Sequence, residues 1–141
     1  MSNYKFSFEP KEVKNIKTNN RIIQTQIPAP GTKELFARLE IVESRSMHGQ
    51  MPIVWNRADD FQVYDAHGNC WIDFTSTIFV SNAGHGNSRI KTAVRDVIDK
   101  PLFHTYTYMN KERLDYLELL IEKTPKQFEK AFMLSAGTEA T

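Results

Sequence analysis

The chain has 141 residues, 40% of them hydrophobic and 25% charged, with eighteen basic and seventeen acidic side chains. This composition excludes a disordered segment, and the near balance of charge excludes the basic footprint of a nucleic-acid or anionic-membrane binder. The single cysteine, Cys70, excludes an internal disulfide framework; with no apolar run long enough to span a bilayer and no leader-like start, a cytoplasmic protein is expected.

Residues 1–31 are polar, thickened by Lys11, Lys14, Lys17, Asn15, Asn19 and Asn20 and closed by Pro28, Pro30 and Gly31, a composition that predicts an irregular surface arm. From Thr32 the spacing of Leu35, Phe36, Leu39 and Val42 predicts a helix with Thr32 as its cap, ending between Ser46 and Gly49. Ile53 to Trp55, Phe61 to Tyr64 and Cys70 to Phe74 are rich in β-branched and aromatic residues. Asp65-Ala66-His67-Gly68-Asn69 supplies a turn between the last two, so an antiparallel meander is expected.

Ile90, Ala93, Val94, Val97 and Ile98 repeat at helical spacing, with Asn87 or Ser88 as cap and Pro101 as stop, which predicts a helix over 88–100. A second helix is predicted from about Lys111 to Thr124, with Leu114, Leu117 and Ile121 as its stripe, Glu112 in its first turn and Pro125 behind it. The apolar run Lys130-Ala131-Phe132-Met133-Leu134 reads as a buried strand at 131–134, followed by Ser135-Ala136-Gly137-Thr138-Glu139, a small-residue turn that opens a helix. Strand, glycine turn and helix start would present free backbone N–H groups to a phosphate.

Helices followed by a lone buried strand predict the beginning of a parallel sheet, so the fold class is α/β and incomplete, with neighbours for that strand expected outside these residues. A segment so cut is expected to be aggregation-prone or partly molten by itself. His67 and Cys70 are possible metal ligands, but no second pair stands near them, and no metal site is expected.

Residues 61–74, Phe61-Gln62-Val63-Tyr64-Asp65-Ala66-His67-Gly68-Asn69-Cys70-Trp71-Ile72-Asp73-Phe74, followed by Ala83-Gly84-His85-Gly86 and Ser135-Ala136-Gly137-Thr138-Glu139-Ala140, resemble the amino-terminal part of class III aminotransferases. These are pyridoxal 5'-phosphate enzymes of fold type I. The similarity runs from about residue 33 to the end, and the order of three separate motifs makes it specific. It implies that 32–80 form the helix and meander of a small domain and that 81–141 begin a large cofactor-binding domain. It also implies a homodimer that moves an amino group from an amine or ω-amino acid to a keto acid.

Carried onto this sequence, the resemblance assigns Gly137 and Thr138 to the cofactor phosphate, where a residue without a side chain lets the backbone approach and a hydroxyl adds a donor. Without the resemblance, the same turn reads as a plain helix start capped by Thr138. Ile78 and Phe79 fall at the substrate mouth, with a buried loop core as the bland reading. Met109 belongs to His104-Thr105-Tyr106-Thr107-Tyr108-Met109, a segment expected near the pocket with aromatics at the dimer interface. Glu139 matches the helix dipole, and His85 reads as a structural hydrogen-bonder.

Thr77 stands where the family usually has glycine, Asn87-Ser88 where a proline commonly starts the helix, and Ser135-Ala136 where a more polar pair is usual. The lysine that forms a Schiff base and the acid that pairs with the pyridine nitrogen both fall beyond residue 141 in the family, so the segment alone is expected to be inactive. Lys91 and Lys100 read as solvated surface charges. The competing reading is a short non-catalytic module that binds a partner through its sheet edge, or part of an aminomutase or decarboxylase of the same fold.

Overall fold

The computed structural model describes residues 6–102, 104–105 and 107–141. Two compact units divide the chain, Met1–Val94 and Arg95–Thr141.

The first unit is built on an antiparallel sheet of order β1-β2-β5-β4-β3, formed by β1 (Ile16–Lys17), β2 (Ile22–Ile23), β3 (Arg57–Asp59), β4 (Gln62–Tyr64) and β5 (Cys70–Ile72). The expected meander is present, but its first strand lies at Arg57–Asp59 rather than at Ile53 to Trp55. Val63 sets the register: it faces Ala58 on one side and Trp71 on the other, and it is almost fully buried. The tight connection through Asp60 then pulls residues 57–59, not the more apolar 53–55, into the ladder.

The arm differs from expectation. Instead of remaining irregular, it contributes β1 and β2, and Ile22 pairs with Cys70 of β5. Lys11 and Ile27 exchange backbone hydrogen bonds of 3.0 Å, folding the arm on itself. Ile23, Ala29, Val63 and Cys70 form the buried apolar core described, together with buried Thr32, Asp65 and Asn69. The core therefore sits where the arm meets the meander, and three of its seven described residues are polar.

Helix α1 (Thr32–Val42) starts on Gly31, whose φ of 79° is the left-handed conformation a glycine accepts without penalty. Thr32 is its first buried residue rather than its cap, and the helix ends at Val42, short of the expected boundary, with a separate 3-10 turn at Arg45–Met47. Its apolar face lies along a shallow groove of about 330 Å³ lined by Leu35, Phe36, Leu39, Gln50, Ile53 and Val54. Phe8 of the arm packs on Phe36 with ring centroids 5.1 Å apart.

After β5 comes α2 (Ser76–Phe79), one turn whose four residues all have positive φ, between 47° and 66°. Helix α3 (Ser88–Ile98) follows as expected, with the Asn87 side chain accepting from the N–H groups of Arg89 and Ile90. The boundary between the units falls within it.

In the second unit α4 (Lys111–Lys123) matches the predicted helix within one residue, and Asn110 caps it by accepting from the Arg113 N–H at 2.8 Å. Lys100 is paired with Glu112 rather than simply solvated. The strand expected at 131–134 does not form; a ladder needs a neighbouring strand, and the described sheet is wholly within the first unit. What is present is a mixed helix and strand structure with an antiparallel sheet; a parallel pair is not among the described strands. Gly137–Ala140 then forms the short helix α5.

Candidate functional site

The small-residue turn before α5 has the composition that a phosphate cradle requires. Ala136, with extended φ and ψ, is the cap, so Thr138 is the second helical residue and the N-cap reading of its hydroxyl is excluded by geometry. The opening N–H groups of a helix have no partner inside it, and among the described residues no hydrogen bond engages the Thr138 hydroxyl as a donor. A Cβ built on Gly137 meets nothing within 4 Å, so the space over its backbone is open. Glu139 reaches back from the first turn to accept from the Ser135 N–H at 3.1 Å, which gives it a capping task. A backbone opening, a hydroxyl and exposed N–H groups are the donor set that suits a phosphate.

Ile78 and Phe79 lie side by side on α2, and both are about four-fifths exposed, as is Val80. Within the described residues the segment is not a buried loop core. Left-handed backbone costs an L-residue about 1–2 kcal/mol, and here four successive non-glycine residues, two of them β-branched, adopt it. Thr77, where a glycine is usual in the resembling family, has φ 51° and ψ 47°. Met109 is exposed and stands immediately before the Asn110 cap of α4. Tyr106, part of the aromatic segment expected near it, lies outside the described residues.

The structure adds a group that the sequence placed only as separate motif letters. Asp73, just past β5, has an almost fully buried side chain, and its Oδ2 lies 2.8 Å from His85 Nε2. Its Oδ1 accepts from both the N–H and the hydroxyl of Thr75, at 2.9 and 2.7 Å. Burial pushes the Asp73 carboxyl up, but the hydrogen bonds from His85 and Thr75 outweigh it and hold the group below its ordinary value. His85 is fixed in turn by paired backbone bonds with Asp60, by Trp55 edge-on at 6.0 Å, and by Ser81 Oγ at 3.5 Å. These contacts agree with the structural role read for His85.

A second buried cluster holds the arm. Asn69 is fully enclosed: its Oδ1 accepts from the N–H groups of Gln24 and Thr25, while its Nδ2 donates to Thr25 Oγ1 and to Asp65 Oδ2. Asp65 Oδ1 accepts from the N–H groups of His67 and Asn69. His67, a possible metal ligand by type, instead places Nε2 2.9 Å from the Pro30 carbonyl, and Cys70 Sγ lies 3.3 Å from Gln62 Nε2.

Residues 44–141 match the model of the aminotransferase class-III family, which is more than half of the chain, so the protein belongs to that family. Among curated relatives, it is 30% identical over 93 residues to the acetylornithine aminotransferase of Clostridium acetobutylicum, a match covering 66% of this chain and 24% of that protein. It is 31% identical over 111 residues to the 4-aminobutyrate aminotransferase GabT of Escherichia coli K12, covering 77% and 26%. The ornithine aminotransferase of Brevibacillus brevis is 31% identical over 90 residues, covering 64% and 22%. The chain thus spans about a quarter of the length of the curated relatives it matches.

Proposed function

We propose that these residues are the amino-terminal part of a pyridoxal-phosphate-dependent aminotransferase of fold type I, active as a homodimer in the cytoplasm. The observation that carries the reading is the family match over 44–141, which contains all three motifs in order. On this reading 1–31 is an arm, 32–80 belongs to the small domain, and 81–141 begins the cofactor-binding domain. The amino donor is an amine or ω-amino acid and the acceptor a keto acid, in line with the acetylornithine, ornithine and 4-aminobutyrate in the relatives' names.

Pyridoxal phosphate, when bound, supplies the electron sink that lets an amino group leave one carbon skeleton for another. The task of this segment is binding and orientation. Gly137 gives the phosphate access to backbone N–H groups and Thr138 adds a hydroxyl donor, while Ile78, Phe79 and Met109 offer apolar surface to the substrate chain. The Schiff-base lysine and the partner of the ring nitrogen belong to the remainder of the enzyme, so the 141 residues alone are inactive.

The test uses the complete protein with pyridoxal phosphate and a panel of 4-aminobutyrate, ornithine and acetylornithine as donors to a 2-keto acid. A Cβ at Gly137 meets nothing within 4 Å among these residues, so Gly137→Val is chosen to crowd the cofactor. Together with Thr138→Val, it is expected to weaken cofactor binding about tenfold or more. Wild-type cofactor affinity in both variants, measured by absorbance titration, would remove these residues from the site; absence of amino transfer from every donor would remove the activity.

A further inference from the structure

The left-handed turn α2 carries an energetic problem that its own side chains do not solve. Ile78, Phe79 and Val80 are each about four-fifths exposed within these residues, so no packing among them fixes the hand of the turn. Its backbone bonds, Phe79 N–H to Thr75 and the Val80 and Ser81 N–H groups to Ser76, close the turn but do not choose its hand. Besides Asn82 Nδ2, which donates to the Phe79 carbonyl at 2.8 Å, the side-chain contacts at its two ends converge on Asp73. One carboxylate oxygen holds Thr75, the residue before the turn, by two bonds. The other holds His85, whose ring nitrogen also meets the Ser81 hydroxyl just past the turn at 3.5 Å, while the Thr77 hydroxyl donates to the Ser76 carbonyl at 2.7 Å.

We propose that Asp73 and His85 are a positioning pair that braces both ends of the Ser76–Phe79 turn and so fixes where Ile78 and Phe79 stand for substrate. The pair is anchored on the sheet side by the paired backbone bonds of Asp60 with His85 and by the Trp55 ring, and Asp73 itself is tied to Phe61 through its N–H. An exposed, strained turn would relax to ordinary right-handed or extended backbone once released. Asp73 and His85 need touch no reacting atom for this; they act through the turn. The substrate part of the inference rests on the placement of Ile78 and Phe79 made under the proposed function, whereas the brace itself does not.

The experiment compares wild type, Asp73→Ala, Asp73→Asn, His85→Ala and His85→Gln in the complete holoenzyme. Hydrogen exchange of a peptide spanning residues 75–82 reads the brace, with the α4 peptide as the internal reference. Exchange is expected to accelerate about tenfold or more in Asp73→Ala and His85→Ala. His85→Gln, whose amide reaches the position of Nε2, should restore much of the protection, and Asp73→Asn, the variant least disruptive to folding, should fall between. KM for the amino donor should rise about tenfold in the two alanine variants, with kcat changed less than threefold and rescue by His85→Gln. Unchanged exchange in 75–82 overturns the brace. Accelerated exchange with unchanged KM overturns the positioning of substrate. If the wild-type enzyme transfers no amino group, the proposed function has failed, yet the exchange comparison still decides whether the pair holds the turn.

Discussion

Replacing Asn69 by alanine should free the arm from the meander while leaving the rest of the sheet paired. The substitution deletes an acceptor shared by the Gln24 and Thr25 N–H groups and two donations, to Thr25 Oγ1 and Asp65 Oδ2. At about 1 kcal/mol for each of three neutral bonds and about 2 for the one to a carboxylate, the sum is about 5 kcal/mol. Water reaching the vacated groups recovers part of this, leaving roughly 3 kcal/mol, or two powers of ten in a local opening equilibrium. Hydrogen exchange of a peptide covering residues 22–27 is the direct assay, with residues 111–123 as reference. Asn69→Asp makes a stricter control: it keeps the acceptor but loses both donations and sets a second carboxylate against that of Asp65, so it too should open the arm. Acceleration below threefold in Asn69→Ala would refute the claim that this network, rather than the two-residue strands β1 and β2, holds the arm down.

Gly84→Ala is expected to destabilise the first unit by about 2 kcal/mol, because φ is +85° and the new Cβ would lie 2.5 Å from Asp60 Oδ1 and 3.4 Å from Asp60 Cα; a drop in the thermal midpoint checks it. Asn110→Ala removes the α4 cap and should cost about 1 kcal/mol, seen as faster exchange confined to the first turn of that helix. The Asp73 carboxyl titrates lower folded than unfolded, so its contribution is present above the ordinary value of 3.8 and is lost as pH falls through the lower folded value. Protection of residues 75–82 should therefore fall off below pH about 4 in wild type and show a weaker acid dependence in Asp73→Asn; identical acid profiles would refute this.

The elements legible in the sequence are those whose signals are local. Asn87 and Pro101 bracket α3, Glu112 and Pro125 mark the start and stop of α4, and Asp65 to Asn69 mark the hairpin turn, each through chemistry within four or five residues. The arm strands were not legible because Ile16, Ile22 and Ile23 are isolated among polar residues; β1 pairs with β2 alone, and only the non-local pairing of Ile22 with Cys70 ties that short hairpin to the sheet. The strand run at 131–134 shows the converse: an apolar pattern is a capacity for pairing, and pairing needs a partner. In the candidate site, the helix start at Gly137 was legible through turn composition. The hand of α2 was not, since Ser-Thr-Ile-Phe has no left-handed preference, and the Asp73 and His85 contact spans twelve positions. Asn69 and Cys70 looked like turn and strand residues, with nothing local to announce that both would be wholly enclosed.

That enclosure makes Cys70 a built-in clock. It is the only thiol in the chain, it shows no exposed surface, and it lies beneath the Asn20 carbonyl and opposite Ile22. A thiol reagent reaches it only during moments when the arm has lifted, so in the regime of fast labelling the reaction rate equals the rate of lifting. Without any engineered probe, the chain thus carries a chemical record of how often the Asn20 to Ile22 segment lets go.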